Sequence, residues 1–126
     1  MSLPVDNITT AAVARALDAA TLRHQAIAAN IANHGVEGYV PLKVSFAQEF
    51  TEQIGTAGTF RLDGRSVAAM KPQLAPVLDA NGLPAKVKLD AEMADMAQNA
   101  VQFQALARGL TRYLSILATA ASDGKK

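Results

Sequence analysis

A chain of 126 residues with a formal net charge of +1 is the size of one domain, and its twelve basic and eleven acidic residues leave no field of either sign to attract nucleic acid. With no cysteine, disulfides, thiolate metal sites and a thiol nucleophile are excluded. Half of the residues are hydrophobic yet only 5% are aromatic, so the apolar content is mostly Ala, Leu, Val and Ile, which suits closely approaching helices better than a bulky core.

The opening Met1-Ser2-Leu3-Pro4-Val5-Asp6 has neither the basic start nor the apolar stretch of a cleaved secretory leader. No window comes near 18 uncharged apolar residues, so direct membrane insertion is not expected either. The first element is a helix over residues 7–33, capped by Thr9 or Thr10. Val13, Leu17, Ala20, His24, Ile27 and Ile31 recur at alternating spacings of four and three, the seam of a helix that packs on another helix. His34-Gly35 ends it.

Residues 34–89 form a loop-rich middle. Gly35 to Leu89 holds six of the eight glycines and four of the five prolines, and its periodicity is weak. Short extended pieces are expected at Tyr39–Phe46, Phe60–Leu62 and Lys86–Leu89, and a short helix beginning at Phe46–Phe50. Loops are expected around Gln53–Gly58 and Lys71–Pro76, with a tight turn at Ala80-Asn81-Gly82-Leu83.

The last element is a helix over residues 90–121 with Asp90 as its N-cap. Met93, Met96, Ala100, Phe103, Ala107, Leu110, Leu114, Leu117 and Ala121 repeat at three and four without a slip. Asp90, Glu92 and Asp95 stand at its positive end and Arg108, Arg112, Lys125 and Lys126 toward its negative end, which complements the helix dipole. At about 1.5 Å per residue the helix is roughly 45–50 Å long, more than a domain of this size can cover, so part of its seam requires a partner. The fold class expected is mainly α: two long amphipathic terminal helices in a coiled-coil-like pair, with short β segments in the middle.

No residues point to catalysis. His24 and His34 are ten apart, not at the three- or four-residue spacing that metal pairs on helices favour. Ser45, Ser66 and Ser115 have no nucleophile setting. The Gly35–Gly38 and Gly55–Gly58 pairs show no phosphate-binding pattern, and Met93 and Met96 belong to the seam. No catalytic, cofactor-binding or metal-ligating residue is assigned, and no cofactor is expected.

One cluster exceeds what an ordinary helix stop requires. Ala28-Ala29-Asn30-Ile31-Ala32-Asn33-His34-Gly35-Val36-Glu37-Gly38-Tyr39 places two asparagines three apart in the last helical turn, where Asn is a poor helix former. Such carboxamides can bond the backbone of a crossing segment, with Gly38 permitting an unusual backbone angle and Tyr39 anchoring the exit. Ala28, Asn30, Ile31, Ala32, Asn33, Gly38 and Tyr39 fall on the pattern A-x-N-I/L-A-N-x-x-T-x-G-Y and so resemble the flagellar axial proteins, the rod, hook and hook-associated family. Arg23 and Gln25 also suit the rod members. The segment Val87–Leu106 is similar to V-D-M-D-x-E-x-A-x-M-A-E-N-A-x-x-Y-Q-A-L at the carboxy-terminal helix of the proximal-rod members. The likeness covers residues 15–46 and 86–117. It departs at Val36 for Thr, Glu37 for Pro, Val40 for Lys and Phe103 for Tyr.

The resemblance implies a self-assembling structural subunit at the base of the flagellar rod, exported through the flagellar type III apparatus without a cleaved signal. Its implied partners are copies of itself, other rod subunits of the FlgC type, a FliE-like adaptor and the membrane ring. The assembly seam is then Val13, Leu17, Ile27 and Ile31 on the first helix and Met93, Met96, Phe103, Leu110, Leu114 and Leu117 on the last. The alternative expectation is a cytoplasmic helical adaptor or export chaperone that binds a partner helix transiently.

Overall fold

The computed structural model of the chain describes residues 4–46 and 64–124. Among these residues five elements follow in order: α1 (Pro4–Ala32), β1 (Leu42–Ser45), α2 (Gly64–Ala69), β2 (Gln73–Pro76) and α3 (Leu89–Asp123). The protein is mainly helical, with a long helix toward each end, a two-stranded sheet and a loop-rich middle, as expected.

α1 is 29 residues long and begins at Pro4, ahead of the expected start at Asn7 and of the threonines expected to cap it. Proline is suited to a first helical position because an N–H there has no intrahelical acceptor to lose. The helix stops at Ala32, where Asn33 turns both its backbone N–H (3.0 Å) and its side-chain Nδ2 (2.8 Å) onto the Ala29 carbonyl. The turn then closes through Val36 N–H to Asn33 O and Tyr39 N–H to Val36 O, with Gly38 at φ 79°, a left-handed conformation that strains any residue with a Cβ.

β1 and β2 pair antiparallel with Leu42 opposite Pro76 and Ser45 opposite Gln73. The ladder continues past Pro76 through Val77 N–H to Pro41 O at 2.8 Å. The strand β2 occupies part of the Lys71–Pro76 stretch expected to be a loop. Its proline ends the strand, where the missing N–H interrupts nothing, and its short Gln-Leu-Ala run was too brief to register as periodic. The expected extended piece at Lys86–Leu89 forms no strand: Lys88 is extended at φ −102°, ψ 104°, but it serves as the N-cap of α3 and Leu89 is already helical. β1 lies within the expected Tyr39–Phe46 segment. The expectations for Phe60–Leu62, Gln53–Gly58 and most of Phe46–Phe50 fall outside the described residues.

The turn at Ala80–Leu83 is present. Asp79 Oδ1 accepts from Asn81 N–H at 2.8 Å and Leu83 N–H at 3.0 Å, and Gly82 takes φ 76°. α2, not anticipated from the sequence, packs on α1: Val67 and Met70 are buried, and a Cβ on Gly64 would lie 3.2 Å from both Cβ and the carbonyl oxygen of Asn7.

α1 and α3 run antiparallel. Ala20 and Arg23 of α1 bond Asn99 of α3, and Asn30, further along α1, bonds Glu92, earlier in α3. α3 has 35 residues, about 52 Å at 1.5 Å per residue, against about 43 Å for α1. Asp90 is not the N-cap, because the helix starts one residue before it; its Oδ1 instead accepts from the adjacent Ala91 N–H at 2.9 Å within the first turn. Asp90 and Glu92 still place negative charge at the positive helix end. Gly124 closes the helix through its N–H to Ala120 O.

Candidate assembly site

Asn30 is the polar centre of the molecule. It stands in the last turn of α1, 2% exposed, and every hydrogen-bonding position of its carboxamide is used. Oδ1 accepts from Leu42 N–H at 2.9 Å and from the Tyr39 hydroxyl at 2.8 Å; Nδ2 donates to Leu42 O at 2.9 Å and to Glu92 Oε2 at 3.2 Å. The side chain thus pairs with both backbone groups of Leu42 as a neighbouring strand would, while reaching α3 through Glu92. One residue joins the end of the first helix, the turn, the sheet and the start of the last helix. Tyr39, half-buried over this centre, has its hydroxyl pKa raised above its ordinary value, first by burial and then by the negative charge of Glu92.

A second tie holds the pair nearer its middle. Asn99 of α3, 4% exposed, donates from Nδ2 to the Ala20 carbonyl at 2.8 Å, and its Oδ1 accepts from Arg23 Nη1 at 3.2 Å. Ala19 and Ala20 are almost wholly covered. Their small side chains let a carboxamide from α3 reach a carbonyl in the interior of α1. The alanine content noted in the sequence is therefore what permits the backbone of one helix to be bonded by the other.

These two ties set the rotation of α3. The residues it turns inward are Glu92, Met96, Asn99, Leu106, Ala107, Leu110, Tyr113 and Leu117, all buried or half-buried. The apolar seam expected from spacing shares Met96, Ala107, Leu110 and Leu117 with this face, whereas Met93, Ala100, Phe103, Leu114 and Ala121 are exposed. Met93 (60% exposed), Phe103 (41%) and Leu114 (48%) consequently stand in solvent. Apolar spacing does not register Glu92 and Asn99, the polar residues that orient the helix.

On α1, Ile27 is buried, and Val13, Leu17 and Ile31 are half-buried. His24, expected on that seam, is exposed, beside an apolar groove shared with Ala100 and Phe103. Of the motif residues, Asn30, Gly38 and Tyr39 act together at the turn. Asn33 bonds its own helix and not a crossing segment, Ala28 and Ile31 are half-buried, and Ala32 is exposed. Asn99 and Glu92 as tying residues went unread in the sequence. The available signal was a polar residue at Asn99 on the period of Met96 and Phe103.

A cleft of about 480 Å³ lies between the two helices and β1, lined by Arg23, Lys43, Glu92, Asp95, Gln98 and Gln102 among others. It mixes charges of both signs and pairs no nucleophile with a base. Among the described residues no group of three His, Cys, Asp or Glu is placed to hold a metal ion, and no helix is long and apolar enough to cross a membrane.

The fold and site define a helical hairpin protein whose two long helices are tied by side-chain amides at one end and near the middle, and whose last helix keeps apolar surface in water. No protein-family model matches the chain, and no curated protein matches it.

Proposed function

We propose that the chain is a structural subunit of the proximal rod of the bacterial flagellar basal body, of the FlgB type, assembling through its terminal helices and transmitting torque as part of the drive shaft. The observation that carries this reading is the Asn30 centre. Three of the seven turn residues that carry the resemblance to axial proteins, Asn30, Gly38 and Tyr39, form the junction that binds the first helix to the start of the last. A second support is the apolar surface of α3. Met93, Phe103, Leu114 and Ile116 are 41–60% exposed along one helix, which suits a subunit whose neighbours complete its packing. In this reading the neighbours are further copies, FlgC-like rod subunits, and a FliE-like adaptor with the membrane ring at the rod base. The location is the periplasm-spanning rod.

The same exposed apolar surface also fits the second reading, a cytoplasmic adaptor or export chaperone receiving one partner helix. Purification of basal bodies from cells carrying an epitope-tagged chain separates the two. A rod subunit co-purifies at fixed stoichiometry and its deletion abolishes motility. A chaperone remains in the soluble fraction, and its detection there alone refutes the rod reading.

A further inference from the structure

The side of α3 turned away from α1 carries a pattern that the rod reading does not use and on which this inference does not depend. Asp90, Ala94, Ala97, Val101, Ala105, Arg108 and Arg112 recur at spacings of three and four, so they share one helix face, and all seven are exposed. It lies opposite the face of Glu92, Asn99 and Leu110, and the described elements of the middle pack on α1. Val101 at its centre is 69% exposed, the highest value among the large apolar residues found in solvent.

The pattern is self-complementary about Val101. Asp90 and Arg112 lie eleven residues to either side of it, Ala94 and Arg108 seven, and Ala97 and Ala105 four. Two copies of α3 laid antiparallel with Val101 against Val101 therefore set Asp90 of each against Arg112 of the other, and Ala97 against Ala105. A parallel pair in register would set Asp90 against Asp90 and Arg112 against Arg112, which repels. Among the described residues neither arginine has an ion-pair partner within its own chain. The alanines allow the two helix axes to approach closely along the length between the charges, about 33 Å at 1.5 Å per residue.

We infer that this face is the contact of a two-fold, antiparallel homodimer of the chain, centred on Val101 and oriented by the reciprocal Asp90–Arg112 pairs. A contact along one helix with alanine at its core is at the small end of specific interfaces, so the dimer forms at high protein concentration and dissociates on dilution. Being isologous, it closes on itself and does not propagate.

The absence of cysteine makes the test direct. In the full chain, Val101→Cys should give a disulfide-linked dimer under mild oxidation at least about tenfold faster than Thr119→Cys, which lies further along α3 and has no equivalent opposite it. A mixture of Ala97→Cys and Ala105→Cys chains should cross-link to each other in preference to themselves. Arg112→Asp should weaken association in sedimentation equilibrium by about tenfold, since two rim attractions become two repulsions. Adding Asp90→Arg to that variant should restore it. Equal cross-linking at Val101 and Thr119, self-linking of the Ala97→Cys chain, or failure of the double charge swap to recover association would each overturn the proposal.

Discussion

Asn99 of α3 bonds the carbonyl of Ala20 at 2.8 Å, across 79 residues of sequence and inside the hydrogen-bonded body of another helix. A contact between a side-chain amide and a mid-helix carbonyl requires that nothing larger than a methyl group stand between them. Ala19 and Ala20 meet that requirement. The bond fixes both the rotation of α3 and its position along α1, which an apolar seam of equivalent steps would leave free to slide by a turn.

The first prediction concerns this contact. Ala20→Leu should push the helices apart and lower stability by about 1–3 kcal/mol through overpacking. Asn99→Ala should cost about 1–2 kcal/mol, leaving the Arg23 guanidinium without its acceptor. Urea denaturation of both variants measures the losses. Combining the two substitutions should cost less than their sum, because each breaks the same bond.

Asn30 should be more demanding. Asn30→Leu preserves bulk but strips partners from Leu42 N–H, Leu42 C=O and the Tyr39 hydroxyl, with an expected loss of about 2–4 kcal/mol. Amide hydrogen exchange provides the sharper readout. Protection at Leu42 should fall more than protection in the middle of α3, whereas a uniform decrease would argue that Asn30 acts only through overall stability.

Tyr39 gives a pH signature. Its pKa is raised in the folded state, by burial and by Glu92, so the unfolded chain loses the hydroxyl proton first as pH rises. The contribution to stability is fully present below the ordinary tyrosine range near pH 10 and declines as pH climbs through the raised folded value. Tyr39→Phe should flatten that part of the stability–pH curve. Thermal melts of both proteins over the alkaline range, compared by difference, remove the background from lysines.

Two leucines a single turn apart on α3 should behave differently. Leu110 is half-buried against the rest of the chain and Leu114 is 48% exposed. Leu110→Asp should destabilise the isolated protein by about 2–4 kcal/mol. Leu114→Asp should change its melting by little, about 0.5 kcal/mol or less. In cells both should abolish motility under the proposed rod function, the second by blocking incorporation of a folded subunit. Motile cells carrying Leu114→Asp would count against that function.

The Gly38 turn is the last. At φ 79° with no atom within 4 Å of its would-be Cβ, Gly38→Ala is penalised by backbone strain and not by crowding, about 1 kcal/mol. Gly64→Ala has the reverse cause, since its Cβ would meet Asn7 at 3.2 Å. Gly38→Asn should recover part of the first loss, because Asn tolerates the left-handed region; Gly64→Asn should not recover the second.

Both long helices were legible because their period of 3.6 extends over many turns, and the Asn81-Gly82 turn because its chemistry is local. The four residues of β2 and the six of α2 carried no such signal, as elements this short depend on what lies beside them. The Asn30 cluster could be singled out because asparagine is costly inside a helix unless its side chain has partners. Which partners those were was not written there, nor that Asn33 would serve only its own helix.

Sequence by itself thus determined the element types at the two ends, the site of the turn after α1 and the breadth of the apolar surface on α3, all consequences of local propensity and periodicity. Only the tertiary structure decided which part of that surface faces inward. Spacing leaves neighbouring rotations of a helix nearly equivalent in apolar burial. The buried bonds of Asn30 with Glu92 and of Asn99 with Ala20 are satisfied at one of them, turning Met93, Phe103 and Leu114 to the solvent.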